Sequence, residues 1–441
     1  MSPASPGADH STDSYLPGSG NGGYRVLHYD LDLDYRVVSN RLAGKAVITG
    51  RAVQSLSRFS LDLGRFRIQD VRVDGHPAKF THRAGKLRIK PERPIGYGAT
   101  FKTEVRYAGP PVPVSGRWGD IGWDELTDGV LVASQPNGSP SWFPCNDRPD
   151  DKATFLVAVT AAAPYTVLAT GDLVSRRRGA GTTTWVYERN EPTAPYLMSV
   201  QIGRYEQVEL AAGAVAQRAA IPPRLRTLFR HDFGRHDEIM AALQRLFGPY
   251  PFRQYVVVVA DDDLDDPIEA QGMAIFGRNH LDGRRTHERL VVHELAHQWF
   301  GNSLTVADWR HIWLNEGFAT YAEWLWSAIC GGPSADVHAA QWRARLAVHP
   351  ADVVIADPGV DRMFDQLVYK RGALTLHALR TTIGDEAFFA LLRSWVAEHR
   401  HQTVTTDQFR AHAQRFTTQP LDDLFDAWLY RPALPPLPRP S

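Results

Sequence analysis

Val291-Val292-His293-Glu294-Leu295-Ala296-His297-Gln298-Trp299-Phe300 and, further on, Trp313-Leu314-Asn315-Glu316-Gly317-Phe318-Ala319 are the stretches on which the reading of this chain turns. Two histidines four apart on a helix lie one turn apart on the same face, so both imidazoles can reach one metal ion. Eighteen residues separate His297 from Glu316. That is room for a turn and the start of a second helix, which brings a carboxylate as third ligand. Two nitrogens and one oxygen suit zinc, and three protein ligands leave a fourth position for water, the mark of a catalytic rather than a structural zinc site. Glu294, beside the first histidine, is placed to handle protons. The apolar Leu290-Val291-Val292 before the motif and Trp299-Phe300 after it predict a core helix over 286–300, with Thr286 as its N-cap.

Outside the motif, composition narrows the class. At 441 residues the chain has room for two or three domains. Lysine plus arginine equals aspartate plus glutamate, 49 of each. That balance argues against a nucleic-acid protein and against a polybasic membrane binder, both of which show excess positive charge. Cys145 and Cys330 are the two cysteines. Neither has metal-binding spacing, and so few cysteines fit a reducing compartment. No apolar run is long enough for a membrane span, and residues 1–23, rich in Ser, Pro and Gly, lack the apolar core of a signal peptide. The expectation is a cytoplasmic protein, with no membrane and no nucleic-acid partner.

Periodicity then divides the chain. Residues 1–23 read as a flexible lead-in. From Tyr29 the pattern alternates: Tyr29, Leu31, Leu33 and Tyr35 interleave with Asp30, Asp32 and Asp34, as in a half-buried strand. Further short strands are predicted at 45–53, 59–63, 68–73, 87–90, 101–107, 155–160, 165–170, 183–188 and 196–202. An all-β domain over 24–205 follows. A helix is predicted at 235–247 and a buried strand at 255–260. From 286 onward helices are expected at 286–300, 313–330, 334–348, 370–383, 385–399, 405–415 and 421–431, before a Pro-rich tail at 432–441. The second domain, 206–431, is therefore mainly helical with a small sheet at its start, and it carries the metal motif. The acidic run 261–266 reads as a solvated loop, and the tryptophans at 299, 309, 313, 324 and 326 as core packing.

These motifs resemble those of the zinc aminopeptidases of the aminopeptidase N and leukotriene hydrolase family, which are gluzincins. Besides the two stretches above, Phe143-Pro144-Cys145-Asn146-Asp147-Arg148-Pro149 is similar to the family's Phe-Pro-Cys-x-Asp-x-Pro segment. Val368-Tyr369-Lys370-Arg371-Gly372-Ala373 is similar to its Tyr-Glu-Lys-Gly segment. The resemblance covers about 24–431. It implies a saddle-like all-β domain followed by a thermolysin-like, mainly helical catalytic domain, in a short form without the C-terminal helical domain of longer members. The family's Gly-x-Met-Glu-Asn segment is degenerate here: Asp266-Pro267-Ile268-Glu269-Ala270 keeps only the glutamate, 24 residues before His293.

The resemblance implies a zinc-dependent aminopeptidase with one zinc ion, acting on peptides with a free N-terminus; separately, a monomer is expected. His293, His297 and Glu316 would hold the metal, which lowers the pKa of a bound water to about 7. Glu294 would take the water's proton and deliver it to the leaving amine. Tyr369 would donate to the oxyanion. Glu269 would bind the substrate's α-ammonium, with Gln135 as a second amine-binding group. Gln271-Gly272-Met273-Ala274 would form an edge strand that pairs with extended substrate, with Gly272 permitting close approach and Met273 in the pairing strand. A thermolysin-like endopeptidase and a non-catalytic peptide-binding protein on the same fold are the alternatives. N-acetylated substrates separate the first from an aminopeptidase, and zinc analysis with an anilide assay separates the second.

Overall fold

A computed structural model describes residues 3–350 and 352–438. Residues 1–2 of the expected lead-in and 439–441 of the expected tail lie outside the described residues.

The alternation from Tyr29 to Tyr35 is the start of the β architecture. Strand Tyr24–Arg36 buries Tyr29, Leu31, Leu33 and Tyr35 and leaves Asp32 and Asp34 exposed. It pairs antiparallel with Arg41–Ala52 on one side and parallel with Ala153–Ala162 on the other. These strands form the middle of an eight-stranded sheet. A four-stranded sheet holds Leu56–Asp62 and Lys86–Lys90, and a five-stranded sheet holds Gly119–Leu126, Gly129–Ala133 and Val200–Gly203. One continuous apolar core joins them, with Tyr29 stacked on Phe155 at 4.7 Å and Trp142 edge-on to Phe143 at 4.4 Å. The all-β reading of this region holds.

The lead-in is not loose over its described part. Ser5–Pro6 pairs parallel with the start of strand Leu56–Asp62. The buried Asp62 carboxylate accepts from Gly20 N at 2.9 Å, from Asn21 Nδ2 at 3.0 Å and from Asp147 N at 3.1 Å. The Lys86 ammonium neutralises it at 2.5 Å and also donates to Gly20 O at 2.8 Å. A Ser/Pro/Gly composition predicts disorder only when nothing buried needs the segment's polar groups. Here a buried ion pair does.

The described chain falls into two compact units that interleave along the sequence. One comprises Met1–Glu209, Arg218–Leu225 and Gln254–Asn279, and the other Leu210–Gln217, Arg226–Arg253 and His280–Ser441. Sequence pattern divides the chain at 205/206, whereas compactness groups Gln254–Asn279 with the β-rich unit. The cause is a small shared core: Val258, Ala260, Ala270, Met273 and Ile275 pack with Leu131 and Leu168. In this segment Gln254–Ala260 runs parallel to Met273–Gly277, and Ile268–Ala270 pairs antiparallel on the latter's other side. Asp261 is bonded to Arg224 and Asp263 to Arg278 at 2.8 Å, so the acidic run is a surface loop tied down by arginines.

The second unit is helical. His236–Phe247, Glu288–Ala296, Trp313–Ile329, Ala335–Leu346, Gln366–Ile383, Asp385–Glu398 and Thr406–Gln414 match the expected helices. Thr286 does not cap the motif helix. That helix starts at Glu288 after His287, and the Thr286 hydroxyl bonds Asp282 instead. The last expected helix is a short α-turn, Asp422–Phe425, that widens into a π-turn over Asp426–Tyr430. The tryptophans are core: Trp299, Trp309 and Trp313 are wholly buried, and Phe300 stacks on Phe318 at 4.3 Å. No helix among the described residues is long and apolar enough to cross a membrane.

Candidate metal centre

Helix Glu288–Ala296 carries His293, and His297 follows at its C-cap still in helical conformation, so the two rings lie one above the other, 4.8 Å apart. Helix Trp313–Ile329 contributes Glu316 from its first turn. Glu316 Oε2 lies 3.4 Å from His293 Nε2 and 3.5 Å from His297 Nε2. All three side chains are buried, with their ligand atoms within 4.8 Å of one another.

The outer nitrogens fix which atoms face inward. His297 Nδ1 lies 3.1 Å from Phe300 O. A carbonyl only accepts, so Nδ1 carries the proton and Nε2 presents its lone pair. His293 Nδ1 lies 2.8 Å from Glu323 Oε1, which selects the same tautomer. Glu323 is the residue that sequence reading missed. It lies seven positions after Glu316, two helical turns on and on the same face, and that spacing was the available signal.

Charge at the centre favours a cation. Burial opposes a proton on His293, yet hydrogen bonds to Glu316 and Glu323 outweigh it and raise its pKa to about 9. Burial likewise opposes charge on Glu316, yet His297 and His293 hold its carboxyl well below the usual range. Two imidazole nitrogens and one carboxylate oxygen, inward-facing, buried and in a negative surround, are the donor set of zinc. The residues present fit that ion.

Glu294 is buried next to His293 on the same helix. Tyr369 lies on helix Gln366–Ile383 with its ring parallel to that of His293, centroids 6.1 Å apart. Gly317 and Gly372 let the two helices approach this closely: a Cβ on Gly372 would stand 2.8 Å from Gly317 Cα. Next to Tyr369's helix turn, the Arg371 guanidinium donates to Trp428 O at 2.8 Å, Pro432 O at 2.6 Å and Ala427 O at 3.0 Å. It thereby collects the carbonyls left unpaired where the π-turn ends.

In the first unit, Gln135 Nε2 donates to Glu269 Oε1 at 2.7 Å. Two candidates that were read from separate motifs are thus joined. Glu269 is buried and sits in strand Ile268–Ala270, opposite Ala274. The expected edge strand is corrected. Met273 and Ala274 lie in a strand with neighbours on both sides, because the chain doubles back at Gln271-Gly272 and lays Ile268–Ala270 along it. The outermost strand is the one that carries Glu269. Gly272 has φ +80°, and a Cβ there would stand 2.7 Å from Arg189 Nη2, so it serves the turn.

Comparison with known proteins identifies the family. Residues 234–428 match the peptidase family M1 domain and residues 26–197 the peptidase M1 N-terminal domain. Mouse aminopeptidase B is 26% identical over 82% of this chain, which spans 59% of that protein's length. Leucine aminopeptidase 2 of Aspergillus niger is 23% identical over 86% of the chain and 66% of its own length. Among solved structures, an M1 zinc metallopeptidase from Deinococcus radiodurans superposes with a TM-score of 0.88 at 32% identity, covering 97% of this chain and 99% of that one. Yeast LTA4 hydrolase shares the fold, with a TM-score of 0.79 at 21% identity over 95% of this chain and 69% of its own.

Proposed function

The chain belongs to peptidase family M1, and on that premise we propose that it is a zinc aminopeptidase releasing N-terminal residues from peptides. The observation that carries this reading is the buried His293–His297–Glu316 cluster with Glu294 beside it. His293, His297 and Glu316 would hold the zinc ion, which would supply Lewis acidity for activating water and a peptide carbonyl. Glu294 takes the proton of the attacking water and passes it to the leaving amine. Tyr369 donates its hydroxyl to the carbonyl oxygen as negative charge develops there.

Glu269 receives the substrate's α-ammonium. Its bond to Gln135 supports this role, because the amide holds one carboxylate oxygen in place and offers its own carbonyl oxygen as a second acceptor. Gly272 and Met273 contribute by shaping the turn and strand next to Glu269. We further infer a monomer working in the cytoplasm. Cys145, buried, and Cys330, exposed, are both free thiols, as suits a reducing compartment.

The test is a panel of amino-acid anilides, free and N-acetylated, assayed with and without a chelator. Hydrolysis of free anilides that is lost on chelation and restored by zinc is expected. Equal turnover of acetylated and free substrates would overturn the exopeptidase assignment, and chelator-resistant hydrolysis would overturn the metal assignment. The Deinococcus neighbour, solved with a Tyr-Ser-Ala substrate bound, supports short peptides as the class to try first.

A further inference from the structure

Tyr369 sits in the first turn of helix Gln366–Ile383. There the backbone N–H groups lack partners within the helix, and the turn frays unless something outside holds it. The Asp365 carboxylate caps it, accepting from Leu367 N at 2.8 Å. A second hold is Arg371, two residues after Tyr369 and only 3% exposed. Its Nε donates to Trp428 O at 2.8 Å, and Nη1 to Pro432 O at 2.6 Å and Val353 O at 3.4 Å. Nη2 donates to Ala427 O at 3.0 Å, to Ala433 O at 3.2 Å and to Arg431 O. All of these acceptors are neutral carbonyls. Burial lowers the pKa of Arg371 to about 10, so the group is still charged at neutral pH.

Apart from Val353 O, every acceptor belongs to one short segment, 427–433. It begins in the π-turn, where Arg431 N bonds Asp426 O at 3.2 Å. Pro432 follows and has no N–H, so the helix cannot continue and its last carbonyls turn to Arg371. The same segment holds the chain that leads into Tyr369's helix, because Ala356 N donates to Leu429 O at 3.1 Å. Further on, Arg343 Nε anchors the segment by donating to Pro435 O at 2.8 Å. The helix that bears Tyr369 and the loop that enters it thus share one socket. Since the Tyr369 ring lies 6.1 Å from that of His293, a tilt of this turn shifts the hydroxyl relative to the metal ligands.

We propose that Arg371 and its carbonyl socket at 427–433 position Tyr369, fixing where its hydroxyl meets the substrate's carbonyl oxygen. The inference rests on the role given to Tyr369 above. Charge alone does not meet the need. A lysine carries the same charge but donates from a single atom, and cannot span these carbonyls as a planar fork does. The effect belongs in kcat rather than KM, because the hydroxyl is needed when charge appears in the transition state.

The experiment uses the full chain in its zinc form as parent, Tyr369→Phe, Arg371→Lys and the double variant. Anilide hydrolysis is resolved into kcat and KM, and zinc content is measured. Arg371→Lys should lower kcat roughly 10- to 100-fold, the scale of a misplaced catalytic group, with KM nearly constant and zinc retained. In the Tyr369→Phe background the same change should cost less than about twofold, since no hydroxyl remains to misplace. An equal loss in both backgrounds would show a merely structural role and overturn the proposal, as would parent-like kcat in Arg371→Lys. If Arg371→Lys does not fold, Pro432→Gly with Ala433→Gly takes its place in the cycle. Both residues are exposed, and the change loosens two acceptors while leaving Arg371 intact. It should cost about three- to tenfold in kcat, the scale of the backbone freedom that glycine adds, and again only where Tyr369 is present. Parent-like kcat in that variant would overturn the proposal. Parent-like kcat in Tyr369→Phe alone would overturn the catalytic role of Tyr369 itself and, with it, the proposal.

Discussion

Gly317 and Gly372 touch backbone to backbone: a Cβ placed on Gly317 would stand 2.9 Å from Gly372 Cα, closer than side-chain carbons come to any neighbour. Each glycine directly follows a stretch with chemistry in it, Glu316 on one helix and Tyr369-Lys370-Arg371 on the other. The contact sets how near Tyr369 comes to the metal ligands. Gly372→Ala should therefore force the helices apart and destabilise the protein by about 1–3 kcal/mol, the range for an overpacked core. Turnover should fall with it while zinc stays bound, because the three ligands lie on the other two helical segments. Thermal denaturation together with a zinc assay checks this, and an unchanged melting point and rate would mean that the helices relax without cost.

His297→Ala, His293→Ala or Glu316→Ala should each release zinc and abolish hydrolysis, since three ligands are the minimum for such a site. Glu323→Gln is the finer probe. It keeps the shape but weakens the acceptor that orients His293, and should lower zinc affinity about 10- to 100-fold. Competition with a chelator of known affinity measures it. Parent-like affinity would show that the 2.8 Å contact to His293 Nδ1 contributes nothing to metal retention.

Glu294→Gln should keep zinc and lose about 10²–10⁴-fold in kcat, the usual effect of removing a general acid–base group. Tyr369→Phe should lose roughly 10²–10³-fold in kcat with KM nearly constant, because its hydroxyl is needed mainly for charge that appears in the transition state. A change confined to KM would make Tyr369 a binding or packing residue.

Glu269→Ala should cost roughly 10- to 150-fold in kcat/KM on free N-termini, equivalent to a charge-assisted hydrogen bond of about 1.5–3 kcal/mol. Residual cleavage of N-acetylated peptides and zinc content should not move. Gln135→Ala should show a smaller loss, and the double variant should lose less than the sum of the two, since Gln135 acts partly by holding Glu269 at 2.7 Å. Strict additivity would separate the two residues functionally.

Lys86→Ala should strip the buried Asp62 of its counter-charge and destabilise the fold by about 3–5 kcal/mol. It should also free the N-terminal segment, whose Gly20 and Asn21 bond to the same pair. Limited proteolysis reads this directly: cleavage before residue 24 should be slow in the parent and fast in the variant. Equal rates would mean that the segment is held by something else.

What the sequence by itself determined is whatever repeats at short range. The alternation at 29–35 placed a strand with its aspartates outward, and the four-residue spacing of His293 and His297 placed two ligands on one helical face. Asn315-Glu316-Gly317 likewise marked the helix with the third ligand. Tertiary structure decided the rest, for one physical reason. Contacts between distant residues leave no periodic trace along the chain. The bond between Gln135 and Glu269 spans 134 residues, and the ion pair that orders the lead-in joins residues that look ordinary in sequence. Met273 is expected in an edge strand solely because the family resemblance implies one there. Only the reversal at Gly272, which lays Ile268–Ala270 along its open side, places it in the interior of the sheet.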